Sequence, residues 1–169
     1  MVDIRYSTGK EAFSRMNTEE LRKEFLVKDI FRADDISCVY SHIDRIVVLG
    51  AMPVSKSVDL QKNIDPMKDF GVDYLLQRRE LGIINIGGNG KVIADGKSFD
   101  IIHFDGLYIG AGTKSVQFTS DDPANPAKFY MTSAPAHCTY PTKHIKFAES
   151  KHVPAGKAED SNLRTINQY

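Results

Sequence analysis

Glu80-Leu-Gly-Ile-Ile-Asn-Ile-Gly87 is followed by Gly90-Lys-Val-Ile-Ala-Asp-Gly96 and then by Asp105-Gly-Leu-Tyr-Ile-Gly-Ala-Gly112-Thr-Lys-Ser115. Apolar residues recur here at every second position, the period of a strand whose two faces meet different surroundings. Gly87-Gly88-Asn89-Gly90 and Asp95-Gly96 punctuate the runs with residues that accept positive φ in tight turns, so the strands they join are antiparallel. Strands on both sides also exclude a dinucleotide loop at Gly82, Gly87, Gly88 and Gly90, which would need a helix after the glycines.

The same period extends outward through residues 37–54 (SCVYSHIDRIVVLGAMPV), 106–118 (GLYIGAGTKSVQF) and 126–134 (PAKFYMTSA). It yields roughly eight to ten strand-length runs between Ile36 and Ala134. Many short strands without intervening helices predict an all-β sandwich or barrel, not a βαβ fold. Upstream, residues 9–28 carry a helical pattern in which Thr18 caps, Glu19 and Glu20 occupy the first turn, and Leu21, Phe25 and Leu26 share a face. Beyond Pro135 the pattern loosens into Pro, Lys, Ser and Asn. The expected organisation is an arm with a short helix over 1–35, a β-barrel over 36–137, and an irregular connecting segment over 138–169.

The 169 residues suffice for one domain with an arm. Hydrophobic residues at 41% and charged residues at 26% exclude wholesale disorder. Lys plus Arg number 22 and Asp plus Glu 22, so no net field draws the chain to nucleic acid or an anionic membrane. Lys143, Lys146, Lys151 and Lys157 read as a solvated face. Cys38 and Cys138 form no CxxC pair and are expected to be reduced, buried thiols. The charged N-terminus does not read as a signal peptide, and no run approaches the roughly 18 apolar residues of a membrane span. A soluble, cytoplasmic chain is expected.

The Glu80, Asp95-Gly96 and Gly112 series resembles the cupin barrel pattern, an antiparallel jelly roll. Metal-binding cupins place His-x-His ahead of the Glu and a further His after the second motif's glycine, so that three imidazoles and a carboxylate surround one cation. The corresponding positions here hold Tyr74, Leu76 and Ser115, or Lys114 with a one-residue shift. The resemblance implies the fold and argues against a metal in this barrel; the five scattered histidines form no ligand set either.

A closer resemblance rests on Glu24-Phe-Leu-Val27, Tyr40-Ser-His-Ile-Asp-Arg45, Arg78-Arg-Glu-Leu-Gly-Ile-Ile-Asn-Ile-Gly-Gly88, Pro126-Ala-Lys-Phe-Tyr130, Ala134-Pro-Ala-His137 and Tyr140-Pro-Thr-Lys143. These runs resemble the first half of the 4-deoxy-L-threo-5-hexosulose-uronate ketol-isomerase (5-keto-4-deoxyuronate isomerase) family, and the resemblance extends from about Thr18 to Tyr169. That resemblance implies a zinc-dependent bicupin of pectin degradation, assembled as a homo-oligomer (a hexamer in the family). Its reaction interconverts 5-dehydro-4-deoxy-D-glucuronate and 3-deoxy-D-glycero-2,5-hexodiulosonate. The family's zinc ligands belong to a second cupin beyond the positions present here, so the chain is expected to be a metal-free N-terminal half, inactive alone. Whether it is a truncation, a cleavage product or a short natural relative stays open. A non-catalytic cupin module for sugar-acid binding or assembly is the second reading, and the 5-deoxy-glucuronate isomerase of inositol catabolism, whose motifs fit less well, the third.

A uronate carboxylate suits an arginine fork, which singles out Arg45, Arg78 and Arg79 as substrate-binding candidates. On a strand, Arg78, Arg79 and Glu80 alternate faces, so the competing reading pairs one arginine with Glu80 inside the barrel. His42, between apolar strand residues, either projects into the barrel toward substrate or packs in the core or an interface. His137, at the end of the last strand of the barrel, is the other loop candidate. His103 reads as structural, His144 and His152 as solvated, and Tyr74 and Tyr108 as barrel lining. No catalytic base is identified. Exposed apolar surface is expected, because the arm and tail end without covering elements.

Overall fold

The computed structural model describes residues 1–169. Its elements are β1 (Asp3–Arg5), α1 (Lys10–Phe13), α2 (Thr18–Phe25), β2 (Ile36–Ser41), β3 (Ile46–Ala51), β4 (Val58–Asp59) and α3 (Pro66–Phe70). They continue with β5 (Arg79–Asn85), β6 (Gly90–Ala94), β7 (Lys97–Ile101), β8 (Gly106–Ile109), β9 (Val116–Ser120) and β10 (Phe129–Pro135). The chain ends with β11 (Lys143–Ile145), β12 (Lys151–Ala155) and β13 (Arg164–Gln168).

Period-two patterning gives each strand one apolar face, and two sheets bury those faces against each other. One sheet has the order β1-β2-β3-β10-β5-β8-β11 and the other β4-β9-β6-β7. The chain crosses repeatedly between them, as a jelly roll does, and the two sheets are not closed into one continuous barrel. Leu49, Leu81, Ile83, Ile109 and Met131 of the large sheet and Val92, Val116 and Phe118 of the small one share the core. Phe118 and Phe129 meet across it with ring centroids 5.2 Å apart.

Asp95 and Gly96, at φ 45° and 82°, make the two-residue turn between β6 and β7 as their residue types require. Gly87, Gly88 and Gly90 serve differently from expectation: none of them has positive φ. A Cβ on Gly87 would stand 2.5 Å from the Lys128 amide nitrogen and the Pro126 carbonyl oxygen, and one on Gly90 would overlap the Thr119 carbonyl. These glycines are demanded by close backbone approach rather than by turn geometry.

The helical pattern over 9–28 breaks into α1 and α2, and the cap is Asn17, not Thr18. Glu20 N–H donates to Asn17 Oδ1 at 3.0 Å while Asn17 N–H donates to Glu20 Oε2 at 2.8 Å, a reciprocal capping box. Neither helix buries a residue, and Phe13, Phe25 and Leu26 remain exposed. Ahead of them β1 joins the large sheet in parallel with β2.

The segment over 138–169 is more regular than its composition predicts. β11 pairs with β8, and β12 with β13 as a separate hairpin. Buried Asp105 organises this region: one carboxylate oxygen receives the Phe147 amide at 2.9 Å, and the other lies 2.8 Å from His144 Nε2. His144 is therefore not a solvated tail histidine. The β12–β13 hairpin has no signature in the sequence because its strands are largely exposed and carry no apolar alternation.

Candidate functional site

Arg79 opens β5, where strand alternation sends it inward and leaves Glu80 on the outer face. It is 6% exposed. Its Nε donates to Ser133 Oγ at 3.1 Å, and Nη2 donates to the carbonyls of Ser133 at 2.8 Å and Arg45 at 2.6 Å. The guanidinium carbon lies 5.6 Å from the Tyr40 ring centroid and 5.8 Å from that of Phe70, within cation–π range. Burial pushes the pKa of this group below its ordinary value, opposed by Tyr40 and Cys38.

No carboxylate pairs with Arg79; the expected partner, Glu80, instead accepts a 2.7 Å hydrogen bond from the Tyr108 hydroxyl on the outer face. Tyr108 therefore does not line the barrel, and burial followed by that bond pushes its phenol up to about 12. Arg79 Nη1 makes no hydrogen bond. Every buried side-chain nitrogen and oxygen is partnered, so Nη1 retains some contact with solvent.

A row of rings continues from the guanidinium. Tyr6 stacks on His42 with centroids 4.6 Å apart, His42 lies 4.6 Å from Tyr40, and Tyr40 lies 5.0 Å from Phe70. Tyr40 and His42 point the same way because they stand two positions apart as β2 runs out. Cys38 follows the same alternation deeper into the core, where burial pushes its thiol up to about 12.

Of the five residues proposed for substrate binding, only Arg79 is buried; His42 is exposed and shares with it the Tyr40 ring as a neighbour. Arg45 joins them through its carbonyl alone: the hairpin bends through Asp44 and Arg45 at φ 54° and 56°, and the Arg45 side chain stays exposed. Arg78 is exposed, its carbonyl accepting the Ala136 amide at 2.9 Å. His137 is exposed and packs edge-on against Tyr140, apart from the aromatic wall. The fork geometry expected of a carboxylate-binding arginine is also altered, since Ser133 and Arg45 already occupy Nε and Nη2. Sequence reasoning missed Ser133, Tyr6, Tyr40 and Phe70. Ser133 had a legible signal, a polar residue at an inward position of an otherwise apolar alternation, whereas Phe70 sits on short α3 and had none.

The zinc of the family resemblance finds no fit among these residues. Leu76 is buried in the core, Glu80 faces away from it, and the Lys114 and Ser115 amides are held by Asp95. No three His, Cys, Asp or Glu side chains group so as to hold a metal ion. Cys138, expected to be buried, is exposed. No helix is long and apolar enough to cross a membrane.

Two facing sheets in this connectivity define a cupin-type jelly roll. A crystal structure of an IolB-like protein from Salmonella typhimurium LT2 shares this fold with TM-score 0.53 and 16% identity, over 72% of this chain and 43% of that one. The chain belongs to the KduI/IolB family, whose model matches residues 25–169. Proteins named 4-deoxy-L-threo-5-hexosulose-uronate ketol-isomerase from Yersinia pestis (strain Pestoides F) and Yersinia pseudotuberculosis serotype I are 49% identical to it over 168 residues. The match covers 99% of this chain and 60% of the length of each of those relatives.

Proposed function

We propose that this chain is the metal-free cupin half of a uronate ketol-isomerase, interconverting 5-dehydro-4-deoxy-D-glucuronate and 3-deoxy-D-glycero-2,5-hexodiulosonate. The observation that carries this reading is the 49% identity, sustained over 99% of the chain, to proteins bearing that activity in their names. Such an isomerisation shifts a proton between adjacent carbons of an open-chain sugar acid, which calls for a positioned acid–base group. No residue of this chain is assigned that step. Its part is to fold the non-metal cupin, to wall the substrate pocket and to hold the sugar acid, with Arg79 and His42 foremost and Arg45, Arg78 and His137 at the periphery. Zinc ligation is proposed for the 40% of the relatives' length that has no counterpart here, with residues 138–169 leading toward it. Homo-oligomeric assembly, as a hexamer, and a cytoplasmic location belong to the same proposal.

The test grafts residues 1–169 in place of the matched portion of the Yersinia pestis relative and follows the uronate by NMR. A folded graft should interconvert the two sugar acids, while the 169-residue chain alone should not. A graft that melts cooperatively yet turns over nothing would sink the reading. A non-catalytic cupin module for sugar-acid binding or oligomer assembly is the second reading, favoured by the buried Arg79, which no carboxylate pairs.

A further inference from the structure

We infer that the cavity framed by the Gly87-Gly88-Asn89 turn, His103, Asn125 and Lys128 binds a phosphate group. It lies at the far end of β5 from Arg79 and does not rest on the isomerase reading.

One buried side chain builds the place. Asn85, fully buried where β5 ends, donates through Nδ2 to the carbonyls of Gly88 at 2.7 Å and Ile101 at 3.0 Å. Its Oδ1 accepts the amides of Gly87 at 3.0 Å and Lys128 at 3.1 Å. A single amide thereby ties the β5–β6 turn to the end of β7 and the start of β10. The glycines let these segments close up, because a Cβ on Gly88 would overlap the Asn125 carbonyl and one on Gly87 the backbone around Lys128. The result is a cavity of about 560 Å³ whose floor is held from three directions.

The lining is one-sided in charge. No Asp or Glu borders the cavity, while Lys128, His103, Asn89 and Asn125 supply its polar groups. Lys128 is half-buried, and its ammonium makes neither an ion pair nor a hydrogen bond, unlike Lys62, Lys91 and Lys146. The acids of the neighbouring loop are engaged elsewhere: Asp122 accepts the Ala124 amide at 2.9 Å, and Asp121 lies 4.0 Å from Lys91. At the exposed rim, His103 Nδ1 stands 2.8 Å from the Gly87 carbonyl oxygen, which can only accept. Nδ1 therefore carries the hydrogen, and Nε2 is left for a ligand.

A tetrahedral oxyanion uses such a set better than a planar carboxylate does. Lysine binds phosphate as a point charge, the asparagine amides donate to further oxygens, and Nε2 accepts from a protonated phosphate oxygen or donates when the ring is charged. A purely structural junction would need Asn85 and the glycines, but neither the unpaired Lys128 nor a lining free of acids. Inorganic phosphate and a phosphomonoester share this recognition.

The experiment titrates the isotope-labelled 169-residue chain with inorganic phosphate, glycerol 3-phosphate and acetate at constant ionic strength, observing the Gly87, Gly88 and Asn89 amides and the His103 ring. At least one of the two phosphates should give saturable shifts there with a Kd in about the millimolar range, and acetate should bind at least tenfold more weakly. Tighter binding of glycerol 3-phosphate assigns a phosphomonoester; equal or tighter binding of inorganic phosphate assigns the free ion. Lys128→Met should weaken phosphate binding at least tenfold, while Lys157→Met on the exposed tail should not change it. Absence of saturable shifts, shifts centred away from this turn, acetate binding within tenfold of phosphate, or undiminished binding by folded Lys128→Met would each overturn the inference. The comparison among anions is read on the wild-type chain, so it decides even if the variant fails to fold.

Discussion

Ser133 receives two hydrogen bonds from one guanidinium: Arg79 Nε reaches its hydroxyl at 3.1 Å and Nη2 its carbonyl at 2.8 Å. The pair ties the start of β5 to the end of β10, and it makes the two residues unequal under mutation. Ser133→Ala strands a buried donor and should cost about 1–2 kcal/mol. Arg79→Met removes the buried charge but leaves the buried Ser133 hydroxyl and the Ser133 and Arg45 carbonyls without this donor, and should cost more, about 2–3 kcal/mol. Urea unfolding at constant m-value measures both, and the double variant should recover part of the Ser133→Ala loss. Strict additivity would show that the two side chains are not coupled.

Glycines in the sheets divide by what a methyl group would meet. Gly90→Ala drives a Cβ into the Thr119 carbonyl and should destabilise by about 2 kcal/mol or more. Gly82→Ala, in the middle of β5, meets only Thr132, with Oγ1 at 3.7 Å, and should be neutral or stabilise by about 0.5 kcal/mol through lost unfolded-state freedom. Thermal melts that ranked the two variants in the opposite order would contradict the backbone approach seen at Gly90.

The two thiols should separate by reactivity. Burial lifts Cys38 to about 12, so almost no thiolate exists at pH 8, whereas Cys138 is exposed. A thiol reagent should modify one equivalent in the native chain and two in denaturant. The sign for stability follows from the raised native value: the contribution of neutral Cys38 is complete below its unfolded pKa and is lost as pH rises toward about 12. Fast native labelling of both cysteines would place Cys38 outside the core.

Asp34 should contribute to the acid limb. The Ser55 hydroxyl and the amides of Val54, at 2.7 Å, and Ser55, at 2.8 Å, hold its carboxylate well below the usual range. A depressed native pKa gives stability that is full above the unfolded value near 4 and is lost as pH falls toward the native value. Tm followed from pH 7 down to pH 2.5 should drop less steeply in Asp34→Asn, which should also start lower at pH 7. Parallel curves for wild type and variant would remove Asp34 from that role.

Legibility along the chain followed the strength of local pattern. The strands between Ile36 and Ala134 announced themselves because each buries one face, and Asp95-Gly96 announced its turn because only such residues take both angles. The C-terminal strands were not legible, since β11 exists by pairing with β8 beside buried Asp105 and β12–β13 exposes nearly all of its side chains. In the site, Arg79 and His42 were singled out but not distinguished from Arg45, Arg78 and His137, because composition near a strand end does not say which side chains converge. Phe70 and Tyr6, distant in sequence, could enter only through packing.

By itself the sequence determined the all-β class, the positions of most strands, and the absence of histidines where a cupin would hold its metal, because these follow from period, turn chemistry and residue identity. The tertiary structure alone decided that Glu80 turns outward to Tyr108 and that Arg79 turns inward with no counter-charge. It also gathered Tyr6, His42, Tyr40 and Phe70 into one wall. Those facts depend on strand phase and on contacts among residues far apart in the chain, and a local pattern carries no information about which distant groups meet.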